Sequence, residues 1–210
     1  MHCFIIAGSP EASPEFIKGT VSGGFVICAD RGYTYAKAAE IKPNLIVGDF
    51  DSYGEKLPDH CEIVKLPTEK DDTDTMRAVK LAFDRGFKKF TILGAIGGRL
   101  DHSFANLCAL AYISSRGGSG ELLSEREKIV YLTQGEHSFD SLSGLTFSLF
   151  PFGCAEVEVE YFGAKYSSGV YRLSSENPQG VSNIFTENRS IIKIHRGNAV
   201  VIINMSDEYL

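Results

Sequence analysis

The sequence predicts an α/β protein in two parts. Residues 1–120 read as a mostly parallel sheet with helices on both faces, and residues 121–210 as a smaller antiparallel β-sandwich domain. Three observations carry this prediction. Short, continuously apolar runs alternate with helical patterns in the first part, as in strands buried on both faces. After Gly117-Gly118-Ser119-Gly120 the helical period disappears and period-two alternation takes over. Finally, each cluster of acidic residues in the first part falls at the carboxyl end of a predicted strand, where open parallel sheets hold their ligands.

Cys3–Ala7 reads as the first strand, closed by the loop Gly8-Ser9-Pro10. Phe25–Ala29 is the second and ends at Asp30-Arg31-Gly32. A short helix through Tyr35–Glu40 stops near Pro43. Leu45–Val47 is the third strand, ending at Gly48-Asp49-Phe50-Asp51-Ser52, and Cys61–Leu66 is the fourth, ending in Lys70-Asp71-Asp72-Thr73-Asp74. Met76, Val79, Lys80 and Phe83 then recur at i, i+3, i+4, i+7, so a helix follows with its core face on these residues and the ammonium of Lys80 in water. Asp72, Thr73 and Asp74 supply its N-cap and first-turn acid, and Gly86 its C-terminal cap. Phe90–Leu93 is the next strand, and Gly94–Arg99 a loop. A helix from about Asp101 to Ser115 is expected to bury Phe104, Leu107, Cys108 and Ala111. Farther on, Ala155–Tyr161 alternates strictly, with Val157, Val159 and Tyr161 inward and the glutamates on a solvated face. Leu145–Phe150, Ser190–His195 and Ala199–Asn204 read as further strands, the last two joined by a turn at Gly197-Asn198.

The net charge of −6 argues against a nucleic-acid or membrane-surface binder, which would show a basic face. Seven of the eleven aspartates lie in four short clusters within the first half, a concentration that random solvated acid would not show. Five cysteines, odd in number and without a C-x-x-C pair, suit small core positions in a reducing compartment. The N-terminus lacks a basic leader and no apolar run reaches the roughly 20 residues of a membrane span, so a cytoplasmic location is expected.

Asp49 and Asp51 stand two apart, on the same side of an extended chain, so their carboxylates can converge. Converging like charges call for a cation or a shared proton, and an all-oxygen ligand set points to Mg²⁺. The plain alternative is an Asx-type turn after a strand. Strand ends placed side by side would form a cleft lined with carboxylates, which accepts a polyphosphate once divalent metal lies between them. Lys70 and Arg99 sit in the same loops, Arg77 lies one turn into the first long helix, and both long helices aim their N-termini at the cleft. His102, beside Asp101 at a helix start, either donates to phosphate or caps the turn. Gly94–Gly98 lacks the G-K-[ST] ending of a Walker A loop.

The ordered set Ala29-Asp30-x-Gly32, Gly48-Asp49-Phe50-Asp51-Ser52, Asp71-x-x-Asp74, Gly98-Arg99-x-Asp101-His102-x-x-x-Asn106 and Gly180-Val181-Ser182-Asn183 resembles thiamine pyrophosphokinase. The resemblance spans nearly the whole chain. It implies an α/β nucleotide domain and a β-sandwich contributing to a thiamine pocket, in a homodimer with active sites between subunits. The implied reaction moves the pyrophosphoryl group of ATP to the hydroxyethyl oxygen of thiamine, giving thiamine diphosphate and AMP. By position, Asp49, Asp51 and Asp74 would be the Mg²⁺ carboxylates. Asp30, Asp71, Arg99, Asp101 and Asn106 would surround the ATP phosphates and ribose or order the loops that do, with Lys70, Thr73, Arg77 and His102 on the same side. Ser182 and Asn183 would contact the thiamine pyrimidine. Two positions depart from the family pattern: Tyr33, where members often carry a small residue, and Ile184, where bacterial members often carry Glu. Other readings of the same residues are a pyrophosphokinase for another hydroxymethyl heterocycle, such as a pterin, and a nucleotide- or thiamine-binding module without turnover.

Overall fold

The computed structural model describes residues 1–50, 57–67 and 71–205. Two compact units compose the chain, Met1–Glu125 and Arg126–Leu210. Asp51 and Lys70, both named above, lie outside the described residues.

The first unit runs β1 (His2–Ile6), α1 (Pro14–Thr20), β2 (Phe25–Ala29), α2 (Gly32–Ala38), β3 (Leu45–Gly48), β4 (Glu62–Lys65), α3 (Asp74–Asp84), β5 (Lys89–Leu93), α4 (Leu100–Ser115) and β6 (Ser119–Leu123). Its strands lie in the order β6-β5-β1-β2-β3-β4 and every neighbouring pair is parallel. Residues 119–123 therefore extend the parallel sheet, and the antiparallel strands begin at Glu127. The apolar runs are buried on both faces: Cys3 to Ile6, Ile27 and Cys28, and Leu45 to Val47 are at most 5% exposed. Phe4, Ile6, Val26, Cys28 and Ile46 form one of these faces and pack with Ile17 of α1 and Ala36 of α2. The chain leaves β1 through β2, β3 and β4 on one side and returns at β5 on the other. That reversal opens a crevice at the carboxyl ends of β1 and β5.

Local chemistry sets the helix ends. Thr73 Oγ accepts a hydrogen bond from Met76 N (3.1 Å), capping α3, and Gly86, at φ +83°, closes it. Gly86 N donates to the Phe83 carbonyl and Phe87 N to that of Ala82, the paired bonds of a left-handed cap. Helix α1 was not expected, although its signals are present. Ser13 caps it by accepting from Phe16 N, Pro14 occupies the first turn and Glu15 follows.

Three expectations about packing are corrected. Helix α4 buries Asn106, Ala109, Leu110 and Ile113, whereas Phe104 is 56% exposed and Cys108 is exposed. Both stripes have helical spacing, and the polar Asn106 disguised the true one. In α3 the buried residues are Thr75, Ala78, Val79, Leu81 and Ala82, so Val79 is shared with the expected face while Met76 and Phe83 are only half-buried. The Lys80 ammonium is not left to water alone but donates to both carboxylate oxygens of Asp72 at 2.7 Å, its side chain remaining 32% exposed.

The second unit contains β7 (Glu127–Leu132), β8 (Gly135–Asp140), β9 (Thr146–Pro151), β10 (Glu156–Phe162), β11 (Val170–Ser174), β12 (Asn183–Ile184), β13 (Arg189–Arg196) and β14 (Ala199–Asn204). Two antiparallel layers, β12-β9-β14-β7 and β11-β10-β13-β8, enclose one core. Phe147 of β9 stacks on Phe185 at 4.3 Å and meets Tyr161 of β10 at 5.6 Å. Val157, Val159 and Tyr161 point inward as the alternation requires. On the opposite face Glu158 pairs with Arg172 (2.8 Å) and Glu160 with His195 (3.0 Å).

Candidate active site

A cavity of about 650 Å³ opens at the carboxyl ends of β1, β2 and β5 and at the starts of α3 and α4. Asp30, Asp71, Thr73, Asp74, Arg99, His102 and Asn106, all named from the sequence, line it together. Four separate loops contribute, as expected of a sheet whose strand ends share one rim.

The β2–α2 turn places Asp30. Its backbone lies at φ +46°, and its N–H donates to the Val47 carbonyl at 2.8 Å, joining the turn to the end of β3. Gly48 packs against this turn: a Cβ there would stand 3.1 Å from the Asp30 Cα. Asp49 follows directly on β3 and is partly buried; it is not among the residues that line the cavity. Tyr33, the bulky departure, is 8% exposed and packs in the core with Phe4, Ile6 and Ala36.

At α3, Asp71 to Thr75 border the cavity. Lys80 engages both carboxylate oxygens of Asp72, and Asp71 and Asp74 border the cavity beside it. Arg77, one turn into α3, is not among the lining residues.

At α4, Arg99 grips Asp101 with two bonds, Nε to Oδ1 at 3.1 Å and Nη2 to Oδ2 at 2.6 Å. Asp101 Oδ1 also accepts from His102 N at 2.9 Å. The Arg99 guanidinium holds the Asp101 carboxyl below the usual carboxylate range, and the same bond raises Arg99. Asp101 thus does the turn-tying that His102 had offered to do, and His102 itself borders the cavity. Asp101 lies outside the lining and steadies residues within it. Asn106 is 6% exposed, and its Nδ2 donates to the Ala95 carbonyl at 2.8 Å, anchoring the β5–α4 loop from below.

Sequence reading passed over the β1–α1 loop. Ser9 Oγ donates to the Ile96 carbonyl at 2.6 Å, and Glu11 Oε1 accepts from Gly98 N at 3.0 Å. These bonds clamp the two loops that flank the crevice. The available signal was positional, since Gly8-Ser9-Pro10 ends a strand just as the acidic clusters do.

Among the described residues, no three His, Cys, Asp or Glu side chains gather closely enough to cage a metal. Mg²⁺ needs no such cage, because it is commonly held by one or two carboxylates, waters and substrate phosphates. The all-oxygen donors Asp30, Asp71 and Asp74 fit that requirement.

In the second unit Ser182 stands at φ +58° and its N–H donates to Ser148 Oγ at 3.2 Å. Asn183 is 6% exposed. Its Oδ1 accepts from Tyr166 N (3.0 Å) and Ile184 N (2.9 Å), while Nδ2 donates to the Tyr166 carbonyl (3.1 Å). Three of the four bonds an amide can make are therefore used within the fold. Asn183 holds the backbone of Tyr166, which lies between β10 and β11 and is itself 55% exposed.

Comparison with known proteins adds a separate line of observation. Residues 21–118 match the family described as thiamin pyrophosphokinase, catalytic domain. The chain is 25% identical over 205 residues to thiamine pyrophosphokinase of Bacillus subtilis (strain 168), covering 94% of this chain and 96% of that protein. It is 24% identical over 161 residues to thiamin pyrophosphokinase 1 of Caenorhabditis elegans, covering 72% and 66%. The crystal structure of the Bacillus subtilis enzyme superposes with a TM-score of 0.87 at 23% identity, covering 98% of this chain and 100% of that one. A thiamin pyrophosphokinase family protein from Enterococcus faecalis gives 0.84 at 26% identity, covering 99% and 100%.

Proposed function

With a thiamin pyrophosphokinase catalytic domain over residues 21–118 as premise, we propose that this protein is a thiamine pyrophosphokinase. It transfers the pyrophosphoryl group of ATP to the hydroxyethyl oxygen of thiamine, releasing thiamine diphosphate and AMP. The observation that carries the reading is the single cavity in which Asp30, Asp71, Asp74, Arg99, His102 and Asn106 meet. Those residues come from three motifs scattered over some 75 positions of sequence, and a triphosphate is the ligand that calls for both acid and cation at one rim.

The ATP phosphates lie in this cavity, with Arg99 and His102 as donors and the Ser9, Glu11 and Asn106 bonds keeping the flanking loops in place. Mg²⁺ would be held by Asp74 together with Asp49 and Asp51, which the family resemblance assigns to it, and would supply charge neutralisation of the transferring group. Asp30 and Asp71, which border the cavity, would orient the nucleotide. Thiamine is taken in the second unit, where Ser182 and the Tyr166 ring held by Asn183 offer a hydroxyl and an aromatic face to a pyrimidine. The cationic thiazolium suits the acidic rim. The family resemblance further implies a homodimer with active sites between subunits. Leu100, 82% exposed on α4, and Phe104, 56% exposed one turn on, supply apolar surface of the kind an interface covers.

Among the described residues no helix is long and apolar enough to cross a membrane. All five cysteines are free thiols, which accords with a reducing, ATP-rich compartment, the cytoplasm.

Purified protein incubated with ATP, Mg²⁺ and thiamine should yield AMP and thiamine diphosphate in equal amounts. Formation of ADP would overturn pyrophosphoryl transfer, and turnover with a hydroxymethylpterin in place of thiamine would move the assignment to another acceptor.

A further inference from the structure

Arg31 is the variable residue inside Asp30-x-Gly32, and no role attaches to it in the reading above. The structure gives it one. It lines the cavity alongside Asp30, facing the α3 and α4 loops.

Its backbone is set with little latitude. A Cβ on Gly32 would stand 1.9 Å from the Ile6 carbonyl oxygen, and one on Gly8 would stand 3.0 Å from the Arg31 Cβ. Glycine on both sides lets the β2–α2 turn press against the end of β1. Thr34 N donates to the Arg31 carbonyl at 3.0 Å and Asp30 N to that of Val47 at 2.8 Å, so the turn is held from both flanks. The root of the side chain is thus fixed at the rim, beside the crevice between β1 and β5.

The charges around it are unequally engaged. Lys80 takes up Asp72 and Asp101 takes up Arg99, each through two bonds. Arg31 makes no ion pair among the described residues, although Asp30, Asp71, Asp72 and Asp74 border the same cavity. A guanidinium that pairs with no acid among the described residues of so acidic a cleft is available to an anion that enters it. Its planar fork matches two phosphate oxygens, which a lysine would meet as a point charge.

We propose that Arg31 binds the phosphate chain of the nucleotide in this cavity, as a second cation beside Arg99. The proposal rests on the pyrophosphokinase reading only for the identity of the nucleotide.

The test is equilibrium binding without thiamine, by isothermal titration of the purified protein with Mg·ATP, with inorganic tripolyphosphate, and with adenosine. For Arg31→Gln, affinity for Mg·ATP and for tripolyphosphate should fall roughly 10–100-fold, in parallel, as befits loss of charged hydrogen bonds. Adenosine binding should not change. Arg31→Lys should recover part of the loss, and it carries the test should the glutamine variant fail to fold. Arg116→Gln, at the far end of α4, should match the parent protein. ATP affinity within twofold of the parent in a folded Arg31 variant overturns the proposal, as does an equal loss for adenosine. A parent protein that binds ATP through Arg31 but makes no AMP from thiamine would sink the enzymatic reading and leave the Arg31 assignment standing. Normal turnover with unchanged binding in the variants would do the reverse.

Discussion

Asn106 Nδ2 lies 2.8 Å from the carbonyl oxygen of Ala95, joining the buried face of α4 to the loop that roofs the cavity. Both groups are shielded from water, Asn106 at 6% and Ala95 at 4% exposure. Asn106→Ala leaves the carbonyl without its donor, at a cost of about 1–3 kcal/mol. Urea denaturation should show that loss, and the KM for ATP should rise because the Gly94–Gly98 loop is no longer pinned. Unchanged stability would mean that the bond contributes nothing the loop needs.

Asp74 stands in the first turn of α3 with its residue lining the cavity. Asp74→Asn should lower kcat roughly 100-fold, in the range seen when one preorganised electrostatic contact is lost at a reacting centre. Stability should change by less than about 1 kcal/mol, the scale of one first-turn charge on a helix dipole. Near-normal turnover at saturating Mg²⁺ would remove Asp74 from the metal-side role.

The proposed function puts acceptor binding in the second unit and nucleotide binding in the first. Tyr166→Ala removes a half-exposed ring and should leave the fold intact. The expected result is a KM for thiamine raised about tenfold, the size of one stacking contact, with the KM for ATP unchanged. Ser182→Ala should act in the same direction. Asn183→Ala should do so too and also lower the melting temperature, since its buried amide holds Tyr166. Equal effects on both substrates would contradict this division of labour.

Arg99 depresses the pKa of Asp101, so the pair contributes to stability above the unfolded carboxylate pKa and loses that contribution as pH falls through the lower, folded value. At neutral pH the contribution is fully present. An NMR titration of the carboxyl carbons should place Asp101 below the roughly 3.9 of a free aspartate. Arg99→Gln should bring it back up. Because the pair is exposed, added salt should shrink the difference between the two proteins; a salt-independent shift would point to another cause.

Thiol reactivity should sort by environment. Burial pushes the Cys3 thiol up to about 12 and raises Cys28 further, while Cys108 is exposed. In native protein at pH 8, an aromatic disulfide reagent should modify Cys108 quickly and Cys3 and Cys28 only on unfolding. Fast labelling of Cys28 would contradict the buried β2.

Much of the first unit was legible because its signals are local. Short apolar runs bounded by turn residues read as buried strands, and the acid clusters in the loops that follow several of them mark one rim of the sheet. That is why Asp30, Asp71, Asp74, Arg99, His102 and Asn106 could be named before the cavity was seen. The same locality misled at α4. Asn106 reads as a surface residue, so Phe104, Leu107, Cys108 and Ala111 looked like the core. The buried stripe is recognised only once the Ala95 carbonyl is known to satisfy that amide. Lys80 likewise looked like a solvated cation until Asp72, eight residues earlier, folded back on it.

The chain alone determined most elements of the first unit, the change to antiparallel strands after it and the acidic motifs, since these follow from periodicity, turn chemistry and charge within short windows. Only the tertiary structure decided which helix face is inside and which acids are neutralised by neighbours. It also decided that Tyr33 belongs to the core and Arg31 to the cavity rim. Those outcomes depend on contacts between residues far apart in sequence: Gly8 against Arg31, Asn106 under Ala95, Asn183 across to Tyr166. Each is a matter of which groups can approach closely and satisfy one another, and no local pattern encodes that distance.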